Sequence, residues 1–160
     1  MAPEQSVVTT AVHAWKQNLE RAGTFFSGLS EQQLQTEIAP GKNRLIYVWG
    51  HLIAVHDAML PLLGLGQRLH PELDDAFLKS ADRVVADLPS AADLKRHWDE
   101  VNGRLLEGFG AFTASDWAQK HTVVSDEDFA ANPLRNRLAI LLSRTGHVSY
   151  HLGQAVLAPK

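Results

Sequence analysis

The sequence predicts an all-α four-helix bundle, and three observations carry that prediction. In four stretches the apolar residues recur at steps of three and four, the spacing that keeps them on one face of a helix. Long polar connections rich in Gly and Pro separate these stretches. No run of residues shows sustained strand alternation with hairpin turn chemistry, and Thr122 to Val124 is too short to count.

The first helix is read from Val8, Val12, Trp15, Leu19, Ala22, Phe26 and Leu29, with Gly23 and Gly28 as places where it can end early. After the Pro40-Gly41 turn signal, Asn43 is the expected cap of a second helix from Arg44 to about Leu63. Apolar residues cover most of its circumference, so it should be the most buried. Gly64, Gly66, Pro71 and Pro89 punctuate the next connection, with a short helix expected near Asp74 to Ala81. Ser90-Ala91-Ala92-Asp93 reads as a capping box opening the third helix, whose stripe is Leu94, Trp98, Val101, Leu105, Phe109 and Phe112. Thr113 to Pro133 reads as a long polar loop. Leu134 to about Leu157 is the fourth helix, ending against Pro159. Periodicity leaves open whether the connections run up-down or cross over.

The 160 residues, 45% hydrophobic and 21% charged, suit one soluble domain over 1–160 with a single substantial core. Fifteen Lys and Arg against 18 Asp and Glu, without a local basic stripe, argue against nucleic acid as a partner. Leu45 to Gly66 is nearly long enough to span a bilayer, but His51, His56, Asp57 and Pro61 interrupt it, so no membrane partner is expected. Met1 to Thr10 carry Glu4 and no basic segment leading into an apolar one, which points to a cytoplasmic protein. With no cysteine, a transition-metal site has to be built from imidazole and carboxylate.

Eight histidines supply candidates. His147 and His151, four apart in the fourth helix, lie about 40° apart around its axis and one turn along it, so both rings can meet one ion. His51 shares its helix face with Tyr47, Val48, Val55, Ala58 and Leu62, so its ring should point into the bundle. It is the best candidate for a third ligand, against the alternative of a buried neutral histidine satisfied by a hydroxyl or carbonyl. His56 lies about 140° from His51 on the same helix and is read as structural. His13, His70 and His97 read as surface or boundary residues. His121, in the long loop, is a candidate mobile ligand or acid/base group.

An inward His51 in the second helix, the Ser115-Asp116-Trp117 step, and His147-x3-His151 followed by Gly153-Gln154 resemble the DinB-like or YfiT-like superfamily of bacterial four-helix-bundle metalloproteins. The resemblance spans nearly the whole chain. It implies a divalent-metal triad of His51, His147 and His151, with zinc or nickel as the expected ion. Members include thiol S-transferases, thiol-dependent isomerases and proteins named as metal-dependent hydrolases. The resemblance therefore implies a site more firmly than a substrate.

Three neutral imidazoles leave a divalent ion its full charge and an open position, as in catalytic zinc sites. A thiol or water activated there could attack a small-molecule substrate, and a low-molecular-weight thiol would make up for the missing cysteines. Arg44 and Arg144 could orient a substrate carboxylate or sit in salt bridges; Tyr47 and Tyr150 could donate a hydrogen bond near the ion. Gln154 is placed to orient a ligand from behind. The absence of a nearby carboxylate base favours thiol chemistry over hydrolysis. The competing reading is a noncatalytic protein, stress-response or interaction, that the ion braces. The apolar helix surface also suggests a homodimer.

Overall fold

The computed structural model describes residues 2–159, and over these the chain is helical without a strand. In chain order the elements are α1 (Pro3–Ser27), α2 (Glu31–Leu34) and α3 (Leu45–Leu62), then a 3-10 turn (Pro71–Leu73) and a π-helical turn (Asp75–Lys79). They are followed by α4 (Ala91–Ala111), α5 (Ala114–Trp117), α6 (Asp126–Ala131) and α7 (Arg137–Ala155). The four long helices make the bundle.

α1 begins with Pro3, whose fixed φ suits a first helical turn, and buries Val8, Trp15, Leu19, Ala22 and Phe26. Of the two glycines where it could end, it runs through Gly23, where a Cβ would meet the Trp98 indole at 3.0 Å so that the glycine serves close packing, and it ends at Gly28, its C-cap. The expected Asn43 cap is also replaced. Arg44 is the N-cap of α3, and its backbone N–H donates to the Asp82 carboxylate at 2.8 Å, a tertiary contact doing what a local side chain would do. α3 is long and apolar enough to cross a membrane by length and composition, yet 67% of it is buried inside the bundle, as befits a core helix. At its C-terminal end, Thr122 of the distant connection donates through its N–H and hydroxyl to the Leu62 and Pro61 carbonyls.

Ser90 caps α4 by accepting from the Asp93 N–H, and Asn136 caps α7 by accepting from the Ala139 N–H, three residues later than the start read from periodicity. The Thr113 to Pro133 segment is not irregular throughout. Thr113 with Asp116 forms a capping box that starts α5, and Ser125 caps α6. α2 likewise starts on a Ser30–Gln33 capping box that apolar periodicity had no means to register.

α1 packs mainly on α7 and α3 mainly on α4, while smaller α1–α4 and α3–α7 contacts close the ring. The consecutive long helices α1 and α3 are therefore diagonal, as are α4 and α7. Both the first and the third connections cross the bundle, which settles the topology as one with crossovers.

Candidate metal centre

α3 carries His51 and α7 carries His147 and His151, and the bundle brings their rings together. His51 Nε2 lies 3.2 Å from His147 Nε2, which lies 3.1 Å from His151 Nε2. All three rings are half-buried. Of the sequence candidates, these three meet; among the described residues no other His, Asp or Glu joins the group, and His121 stays outside it.

Two of the ring orientations are fixed from behind. His51 Nδ1–H donates to the Phe77 carbonyl at 2.9 Å, and His151 Nδ1–H donates to Gln154 Oε1 at 3.1 Å. Gln154 is itself held, its amide donating to the Tyr150 hydroxyl at 3.0 Å. These bonds put the lone pairs of His51 and His151 on Nε2, both aimed at His147 Nε2. A single proton on His147 can satisfy only one of them, whereas a cation satisfies all three. Nitrogens about 2.05 Å from a tetrahedral ion are about 3.3 Å apart, close to the spacings here. The donor set thus fits a divalent transition ion. His147 Nδ1, in contrast, is buried without a hydrogen bond.

Phe77 is the functional residue that sequence reasoning missed. Its carbonyl belongs to the π-helical turn, which packs directly on α3 because Gly50 has no side chain: a Cβ at Gly50 would overlap the Phe77 ring. A backbone acceptor 26 positions from its histidine leaves no motif. The adjacent Gly50-His51 pair inside an apolar helix was the available signal.

The electrostatics favour the neutral form of His147 and His151. Burial, then the neighbouring His151, His51 and Arg144, push the His147 imidazole down to about 4. Burial and His51 also lower His151, although its bond to Gln154 opposes them. Neutral rings are the form that ligates.

The remaining candidates resolve unequally. Arg44 does not face the site: its guanidinium is paired with Asp82 at 2.7 Å and bonded to Gln35, so it holds the chain and is spent. Tyr47 stacks on His51, with ring planes 10° apart, but donates its hydroxyl to the Ser80 carbonyl at 2.8 Å. It is a packing residue. Arg144 lies near enough to depress both His147 and His56, and its Nε is buried without a partner. Burial and Arg135 depress His121, whose Nδ1 is also unpartnered. His56 is structural as read, fully buried and donating from Nδ1 to Asn102 Oδ1 at 2.9 Å. The surface or boundary reading fails for His97, which is buried; His70 is a boundary residue as read, with its ring centroid 3.8 Å from that of His97.

No curated protein matches the chain. The sequence model of the DinB superfamily matches residues 14–155, a range that contains all three converging histidines, the whole of α3, α4 and α7, and the C-terminal half of α1. On that match, and with a helical fold that agrees with it, the chain belongs to the DinB superfamily.

Proposed function

We propose that this protein binds one divalent transition ion through His51, His147 and His151 and uses it to activate a thiol or water for transfer to, or hydrolysis of, a small molecule. The observation that carries the reading is the convergence of three Nε2 atoms, two of them oriented by bonds at the opposite ring nitrogen. An ion held there supplies the charge that lets a thiol or water lose its proton near neutral pH. The chain's own residues do the positioning. Phe77 and Gln154 fix two rings, and burial keeps His147 and His151 unprotonated.

Thiol chemistry is the better supported branch. The ligand group contains no carboxylate to serve as a base for water, and Arg144 beside the triad offers a cation suited to an anionic substrate. A thiol nucleophile would come from a small cofactor, since the chain has no cysteine. The noncatalytic reading, with the ion only bracing α3 against α7, predicts binding without turnover.

Metal analysis of the purified chain and its single variants tests the site first. His51→Ala, His147→Ala and His151→Ala should each lose the triad ion, and His56→Ala should not. Unchanged metal content in all three triad variants would refute the assignment. Turnover of electrophiles with a panel of low-molecular-weight thiols then separates catalysis from bracing.

A further inference from the structure

The segment between α3 and the π-helical turn carries His70, and the first half of α4 carries His97 and Glu100. Their ligand atoms form a compact triangle: His70 Nε2 is 3.0 Å from His97 Nδ1 and 2.8 Å from Glu100 Oε2, and the last two are 3.9 Å apart. From this geometry we infer a second divalent-metal site, of two imidazoles and one carboxylate, which shares no residue with the triad and takes a zinc-like transition ion.

The distances fit such an ion. A point equidistant from the three atoms lies about 2.0 Å from each, a metal–ligand distance, with His97 Nδ1 and Glu100 Oε2 nearly opposite one another and His70 Nε2 between them, as in a six-coordinate shell rather than a tetrahedral one. Imidazole with carboxylate is also a donor set that zinc, nickel and iron accept.

The ligands are held in place from behind. His70 Nδ1–H donates to Glu72 Oε1 at 3.0 Å, which leaves Nε2 as the ligating atom, the carboxylate–histidine arrangement found behind metal ligands. The backbone is fixed as well. Asp57, wholly buried on α3, accepts from the Leu69 N–H at 2.8 Å and the His70 N–H at 3.0 Å, and is paired with Arg68 at 3.0 Å. His97 sits on a regular turn of α4 and is mostly buried, whereas Glu100 is exposed, so one side of the triangle is open to solvent. Burial and the neighbouring His70 lower the His97 imidazole, favouring its neutral form.

The test is zinc titration of the full chain, stripped with a chelator, against a chromophoric competitor, with folding of each variant checked by circular dichroism. One equivalent should disappear in Glu100→Gln and in His97→Ala and survive in His151→Ala. Glu72→Gln should weaken that equivalent about 10- to 100-fold. Glu100 is exposed, so its variant reports on binding even where His97→Ala unfolds the chain. Survival of every equivalent in Glu100→Gln, or survival in a folded His97→Ala, overturns the site; so does its loss in a folded His151→Ala. Failure of the triad has a different signature, namely no equivalent sensitive to His151.

Discussion

Gly50 and Gly103 both lie inside long helices, and the bundle treats them in opposite ways. Gly50 is where the Phe77 ring rests on α3, while a Cβ at Gly103 would meet nothing within 4 Å. Gly50→Ala should therefore cost about 1–3 kcal/mol by overpacking and loosen zinc at the triad, because the Phe77 carbonyl would leave His51. Gly103→Ala should stabilise by about 0.5–1 kcal/mol through helix propensity alone. Urea unfolding of both variants, with zinc competition on the first, checks the pair. His56 makes a second prediction at this scale. Burial, opposed by its bond to Asn102, lowers it from 6.5 to about 3. The unfolded chain binds this proton first on acidification, so His56's contribution is complete above about pH 6.5 and is lost as pH falls toward 3. In that window one such group gives a slope of up to about 1.4 kcal/mol per pH unit. His56→Leu should flatten the fall in unfolding free energy between pH 6 and 4; an unchanged slope would show that His56 is not held neutral.

At the scale of elements, the segment between α3 and α4 does more than connect them. Its π-helical turn supplies the acceptor for His51, and its first part is tied to α3 through Asp57, which receives two backbone N–H groups and the Arg68 guanidinium. Arg68 is paired in addition with Asp74, which fastens the start of the π-helical turn to the same anchor. Removing one partner of a buried ion pair leaves the other desolvated and uncompensated, at a cost of about 3–5 kcal/mol. Asp57→Ala should show a loss of that order in denaturant unfolding. Hydrogen exchange at the Leu69 and His70 amides should accelerate with it. If those amides stay as protected as in the parent chain, the anchor lies elsewhere. α7 shows the reverse economy: Leu141, Val148 and Ala155 recur every seventh residue on its buried face, leaving the flank with His147 and His151 free for ligands.

Across the whole molecule the triad joins α3 to α7, a pair whose direct packing is slighter than that of α1 on α7 or α3 on α4. An ion at that seam couples the two better-packed halves. If it binds the folded chain and not a dispersed set of ligands, as proposed, zinc at about 100 times the triad's Kd should add about 2.7 kcal/mol of stability through that site. Thermal melts with zinc and after chelation should differ accordingly in the parent chain. In His147→Ala the part of that difference owed to the triad should vanish, while any part owed to the His70–His97–Glu100 group remains.

The four long helices, and the buried faces of the first and third, were legible in the sequence, because helix periodicity is a local property that residues such as Trp15, Trp98 and Leu105 report wherever they stand. The His147–His151 pair was legible for the same reason, being one turn of one helix. Only tertiary structure decided the rest. Crossing connections set α3 beside α7 so that His51 could meet that pair, and Gly50 admitted the Phe77 carbonyl behind it. Asp57 drew His70 toward His97, two rings that the sequence left at the surface or boundary and unconnected. Each depends on contacts between residues far apart in the chain, and such contacts leave no period along it.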